Sequence, residues 1–250
     1  LLRVIFTAAY KSPRRFNYLL GLGLFVLVIM LDFTGYILRW DSGICWPLTT
    51  GTNLIKTIPL IGDFLFRLAV GGGDACKTAL TRFYTWHLFG LTIPIVILGI
   101  WHAFRVRRDG GIAVPPANLF LDRTRIPRNE LVRREVLTMF IVSILLILLS
   151  SFIPAPIAPA MVGKPTPGAE TRAPWFFLWV QEMLKEGDPF IFGVLIPLGI
   201  LTILALIPYI FPKPADSDIG RWFPKSNWLA QVVVGLISLA TLVLTLLSLP

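Results

Sequence analysis

Five long apolar runs dominate this chain and leave it few ways to fold. Four are clear, at about residues 17–38, 85–104, 136–153 and 228–249. A fifth, at about 190–211, carries Pro197 and Pro208 and is expected to be kinked. Most are near the ~20 residues a helix needs to cross a bilayer, where backbone polar groups must be satisfied within the helix itself. Residues 1–10 read as the last turns of a further helix. The chain opens Leu1-Leu2-Arg3 without Met, so more sequence is expected before Leu1. Only 15% of residues are charged and mean hydropathy is +0.74, whereas soluble domains carry about a quarter charged residues. The expected fold class is all-α, a polytopic transmembrane helix bundle.

The net charge of +9 does not point to nucleic acid, because no stripe of Lys and Arg interleaves with aromatics. The basic residues act as topology markers instead. With alternating crossings, one side holds 1–16, 105–135 and 212–227, with 15 of the 23 Lys and Arg and a net charge of +9. The other side holds 39–84 and 154–189, with the remaining 8 and a net of +1. The first side is therefore expected to be cytoplasmic. Cys45 and Cys76 share one loop on the other side, where a disulfide and two free thiols both stay open. No C-x-x-C-H is present to hold a covalent haem.

The organisation expected is a region 1–112, a basic linker 113–135, and a three-span region 136–250 with a long outer loop. In 39–84 an amphipathic stretch runs from Leu54 to Phe66. In 154–189 a Pro-rich start, Pro154 to Pro159, leads to the aromatic segment Trp175-Phe176-Phe177-Leu178-Trp179. Long apolar loops of this kind lie at membrane surfaces and carry function, or pack over helix ends.

His87 and His102 are the only histidines and occupy one run. Fifteen residues place them roughly 22 Å apart along a helix and about 60° apart around it. An intramembrane histidine is costly and usually has a partner or a task. Neutral imidazole is a good axial ligand for haem iron; the alternative is a pair of hydrogen-bonded packing histidines. In the preceding run Gly21 and Gly35 are fourteen residues, or roughly 21 Å, apart. Glycines there allow close approach between helices, or of a flat macrocycle. Arg82 lies five residues before His87, and Arg3, Arg14 and Arg15 lie at the level of His102. Arginine pairs with carboxylates such as haem propionates, although the cytoplasmic group also fits simple anchoring.

With these features in view, the chain resembles cytochrome b of the quinol-oxidising cytochrome bc complexes. The resemblance is carried by Arg3 with Thr7-Ala-Ala-Tyr-Lys-Ser-Pro-Arg14, Phe33-Thr-Gly-Tyr-Ile-Leu-Arg-Trp40, Ile58-Pro-Leu-Ile-Gly62, Leu80-Thr-Arg-Phe-Tyr-Thr-Trp-His87, and His102 with Phe104-Arg-Val-Arg107 and Gly110. The histidine spacing and the three spans after residue 135 are similar to the plastid and Gram-positive branch, in fused form. The resemblance implies two haem b groups, with His87 at the outer, low-potential one and His102 at the inner, high-potential one. It implies propionate contacts from Arg82 at the outer level and from Arg3 and Arg14 at the inner. It also implies two further histidine ligands on the preceding helix, upstream of Leu1. It implies quinol oxidation at the outer face, a Rieske-type iron–sulfur partner, a c-type cytochrome, a homodimeric complex, and a bacterial or archaeal cytoplasmic membrane. The family's Pro-Glu-Trp-Tyr motif aligns with Ala173-Pro174-Trp175-Phe176, so the usual carboxylate is missing. Glu182, seven residues after Trp175, is the candidate substitute, with Pro174 and Trp175 beside it. Trp46, Pro59 and Phe176 are expected to line the quinol pocket. Two other readings stay open: a haem-binding scaffold that does not oxidise quinol, and a proton-coupled transporter using His87, Asp32 and Glu182.

Overall fold

A computed structural model describes residues 1–113, 126–154, 158–160 and 172–249. Residues 114–125, the middle of the basic linker, and Pro156 of the Pro-rich start lie outside the described residues. The helices are α1 (Leu2–Phe6), α2 (Arg15–Ile37), α3 (Cys45–Lys56), α4 (Gly62–Val70), α5 (Ala75–Thr85), α6 (Thr92–Arg108), α7 (Arg128–Phe152), α8 (Leu178–Met183), α9 (Ile196–Ile210) and α10 (Trp228–Leu247). A π-turn, Trp86–Leu91, joins α5 to α6, so one helix runs from Ala75 to Arg108. Among the described residues five helices are long and apolar enough to span a membrane, and they fall on the five expected runs. The run at 1–10 gives only the short α1. Two runs prove to be parts of longer helices, since α5 and the first turns of α7 add polar helical residues before the apolar stretch.

The chain divides into two units, residues 1–116 with 159–250, and residues 117–158. The smaller is α7. Its Glu130 carboxylate accepts from Arg134 Nε at 2.9 Å, and its hydroxyls Thr138, Ser150 and Ser151 donate to carbonyls three or four residues back. Polar groups on an apolar helix are thus satisfied within the helix, as hydrocarbon requires.

In the larger unit two packed clusters hold the ends of α2. Around its C-terminal end Ile37, Ile44, Leu48, Phe66, Val70, Ala79 and Phe83 form one core. A disulfide between Cys45 and Cys76 ties α3 to α5, with Cα atoms 5.5 Å apart, which settles the reading left open by the sequence. Around the N-terminal end Ile5, Tyr10, Tyr18, Ile207, Ala230 and Val234 form the other core. Between these ends the helices expose apolar faces, such as Val96, Ile97 and Ile100 on α6 and Leu239, Leu242 and Leu246 on α10. Faces of that extent are untenable in water and suit lipid.

The N-terminal cluster is organised by a polar chain. Tyr10 Oη donates to Asn227 Oδ1 at 2.5 Å, and Asn227 Nδ2 donates to the Ile5 carbonyl at 2.6 Å. Burial pushes the Tyr10 phenol up to about 12. Tyr10→Phe is expected to leave Asn227 Oδ1 buried without its donor and to cost about 1–3 kcal/mol. Thermal unfolding in detergent measures this. The phenol also predicts a pH dependence. The unfolded phenol ionises near its ordinary value of 10, whereas the folded one holds its proton to about 12. Its share of stability is therefore complete below pH ~10 and lost as pH rises through ~12; Tyr10→Phe removes that loss.

Candidate functional site

Helix α2 runs against the Ala75–Arg108 helix so that each glycine of the first meets a histidine of the second. A Cβ placed on Gly35 would stand 3.0 Å from His87 Cε1, and one on Gly21 would stand 3.2 Å from His102 Cε1. The atoms that come against these two glycines are thus those of the imidazoles. Any larger residue would push the rings away.

The match is not trivial, because fifteen residues separate the histidines and fourteen the glycines. The π-turn Trp86–Leu91 resolves it. A π-turn lodges one more residue than an α-turn, so fifteen residues through it fill the place of fourteen. The ~60° offset expected of fifteen regular steps thereby becomes ~40° in the other sense, the same offset as that of the two glycines fourteen residues apart. The cause is local. Pro94 donates no N–H, and its ring would collide with the Gly90 carbonyl four residues back. Thr92 Oγ1 donates to the His87 carbonyl at 2.5 Å, occupying a carbonyl of the altered turn. The same device recurs at Ile191–Leu195, where Gly193 lies four residues before Pro197. The fifth run thus carries this π-turn before Pro197, and Pro208 lies inside α9.

The two levels differ in polar surroundings. At the level of His87, the one expected to be outer, Nδ1 lies 2.9 Å from Thr34 Oγ1. That hydroxyl also lies 2.9 Å from the Met30 carbonyl and 3.1 Å from the Leu31 carbonyl. At the level of His102, the one expected to be inner, Nδ1 is buried without a hydrogen-bond partner among the described residues. Thr34 was not singled out in the sequence, although a lone hydroxyl directly before Gly35 is a usable signal.

The arginines divide. Arg82 lies across Gly71, whose φ of +80° and contact of 2.7 Å between an added Cβ and Arg82 Cγ both exclude a side chain. This holds Arg82 in place five residues before His87 on the same helix. Arg14 Nε donates to the Gly111 carbonyl at 3.2 Å, bridging the start of α2 to the end of α6. Arg3 is exposed on α1, and no hydrogen bond or ion pair involves its side chain among the described residues. Arg105 lies three residues after His102 on α6. Its side chain is 12% exposed, 3.0 Å from Asp109 and stacked over Phe16.

Around the outer level an aromatic row links three segments. Phe33 sits on Gly51 of α3, edge-on to Phe83 and to Phe177, with ring centroids at 6.0 and 5.7 Å. Phe177 in turn meets Phe176 at 4.9 Å, and Phe176 meets Trp175 at 5.7 Å. Pro174 is buried and Trp175 is 76% exposed. Glu182 in α8 is 15% exposed and its Oε2 accepts from Lys185 Nζ at 2.5 Å. Trp46 stays partly exposed on α3, Pro59 is exposed in the α3–α4 turn, and neither joins the aromatic row among the described residues.

The donor set fits haem. Each level offers one imidazole held on a glycine face, and one of the two leaves Nδ1 buried and unpartnered. His87 and His102 are the two histidines of the sequence, so each level offers a single imidazole. Fold and site together define a multi-pass helical membrane protein with two imidazole levels facing a glycine ladder. The chain belongs to the family described as "Cytochrome b(N-terminal)/b6/petB", whose model matches residues 1–165. Membership implies haem b binding. The chain is 33% identical over 108 residues to cytochrome b6 of Prochlorococcus marinus strain SARG, covering 43% of this chain and 50% of that protein. It is 32% identical over 108 residues to cytochrome b6 of the MIT 9211 strain of the same organism, with the same coverage. It thus spans about half the length of the curated relatives it matches. A solved structure titled "Hyperthermophilic respiratory Complex III" shares the fold, with a TM-score of 0.69 at 18% identity, covering 100% of this chain and 66% of that one.

Proposed function

We propose that this chain is the cytochrome b part of a membrane quinol-oxidising oxidoreductase, holding two haem b groups and passing electrons between the faces of the membrane. The observation that carries the reading is the pairing of His87 with Gly35 and His102 with Gly21, one at each end of facing helices. When bound, the haems supply reversible one-electron transfer between those two levels. His87 and His102 supply ligand nitrogens. Arg82 at the outer level and Arg14 and Arg105 at the inner level offer positive charge to propionates; Arg3 joins them only by resemblance. The disulfide supports an oxidising outer face for the α3–α5 loops, and the basic segments then face the cytoplasm. A Rieske-type iron–sulfur protein, a c-type cytochrome and a second copy of the chain belong to the same proposal.

Quinol oxidation releases protons, so the outer site needs an acceptor. Glu182 is the carboxylate nearest in sequence to the Trp175–Phe177 aromatic segment that can serve, with one oxygen held by Lys185 and Oε1 outside that bond. Pro174 and Phe176 stack and orient but take no proton. Trp46 and Pro59 remain proposed parts of the pocket wall. Glu182→Gln is expected to slow quinol-dependent haem reduction by roughly 10²- to 10⁴-fold with haem content unchanged. Normal reduction in that variant would remove Glu182 from the role.

The scaffold reading draws on Pro174 and Phe176 standing where the family carries Glu and Tyr. Inhibitor-sensitive haem reduction by added quinol separates it from the enzyme. The transporter reading is disfavoured, because Asp32 is exposed on α2 while Thr34 and Gly35 face His87. A reduced-minus-oxidised spectrum without b-type bands would remove the first two readings together.

A further inference from the structure

We propose that Thr34 is a positioning residue that makes His87 a stronger electron donor to its metal than His102, and so sets the sign of the potential difference between the two levels. The inference rests on the haem reading above. Thr34 has one hydroxyl proton. Its oxygen lies 2.9 Å from the Met30 carbonyl and 3.1 Å from the Leu31 carbonyl, which can only accept. The hydroxyl donates to one of them, as threonines in apolar helices do. Toward His87 Nδ1, also at 2.9 Å, the same oxygen is then the acceptor, and Nδ1 carries the ring proton. That leaves the lone pair on Nε2, the nitrogen free to bind iron. A ligand imidazole whose far N–H donates to an acceptor has a fixed tautomer, a fixed ring direction and raised basicity. Raised basicity favours the oxidised, more positive metal.

The inner level lacks this device. His102 Nδ1 is buried with no partner among the described residues. The residue that corresponds to Thr34, one before the glycine, is Leu20 before Gly21, and Leu20 is a buried hydrocarbon. The glycine contacts are otherwise alike, with added Cβ atoms 3.0 and 3.2 Å from the two Cε1 atoms. The asymmetry at Nδ1 thus comes down to one hydroxyl, present at residue 34 and absent at residue 20. It makes the outer level harder to reduce than the inner, which favours inward electron flow. Phe33 and Gly51 hold the α2 segment in place at this level, so the hydroxyl stays where Nδ1 needs it.

The test is a potentiometric titration of the purified complex, following the b-type bands, in Thr34→Val, Thr34→Ser and Leu20→Thr. In Thr34→Val the outer group should become easier to reduce, with its reduced-to-oxidised ratio at fixed ambient potential rising roughly two- to tenfold, the worth of one hydrogen bond. Thr34→Ser should restore the wild-type ratio. Leu20→Thr should move the inner group the opposite way by a similar factor and narrow the gap. An unchanged potential in Thr34→Val with full haem content overturns the proposal, and so does an equal shift in Thr34→Ser. Should Thr34→Val fail to hold the outer group, Leu20→Thr decides alone, because an unmoved inner potential there also overturns it. Absence of b-type bands from the wild type would instead sink the haem reading, and this inference with it.

Discussion

His102→Leu is expected to abolish the inner b-type signal of the purified complex while the outer one persists, and His87→Leu to do the reverse. These are the chain's only two histidines, and each level has one. Leucine fills the space with hydrocarbon and adds no unsatisfied polar group, so packing should suffer by less than ~1.5 kcal/mol. At the outer level Thr34 keeps its bond to a helix carbonyl after the change. At the inner level the substitution even removes a buried, unpartnered Nδ1. Loss of signal therefore reports on ligation and not on unfolding. Each variant should lose about half of the b-type absorbance. Each should also slow quinol-to-acceptor turnover, since the levels act in series. Ile97→Leu, on the exposed face of α6, should change neither. Retention of both signals in either histidine variant would overturn the assignment.

The helices were legible because lipid imposes a simple rule, that an apolar run near the bilayer thickness must be helical. Their starts were not. α5 carries Lys77, Thr78, Thr81 and Arg82 ahead of the apolar run and is held by Asp74, whose carboxylate accepts from Cys76 N at 3.1 Å. Hydropathy stops where that polar turn begins. The histidine and glycine ladders were visible as spacings, but fifteen against fourteen did not fit until the π-turn supplied the extra residue. Its signal is Gly90 four residues before Pro94, repeated at Gly193 and Pro197. Thr34, Phe33 and Gly51 act through contacts with residues 18 to 144 positions away. No local pattern marks such contacts. Arg3 and Arg105 show the converse, since charge alone ranks them equally and only the fold exposes one and buries the other.

Gly35→Val is expected to be among the most damaging single changes outside the histidines. Its Cβ would stand 3.0 Å from His87 Cε1 before either valine methyl is added. α2 cannot yield, because Thr34 is 7% exposed and Ile37 fully buried on either side. The imidazole must swing, which breaks its 2.9 Å contact with Thr34, or the helices must part. Overpacking of this kind costs about 1–3 kcal/mol, and a swung ring no longer aims its ligand nitrogen. The outer b-type signal should fall sharply while the inner one remains. The effect should be graded. Gly35→Ala asks the ring to move a few tenths of an ångström, and Gly21→Ala, at 3.2 Å from His102 Cε1, asks for less. Gly23→Ala is the control, because nothing lies within 4 Å of a Cβ there. In mid-helix it should be neutral or stabilising by about 0.5–1 kcal/mol. Haem content and melting temperature measured across the four variants order the series. If Gly35→Val matched Gly23→Ala in both, the glycines would not be seats for the imidazoles.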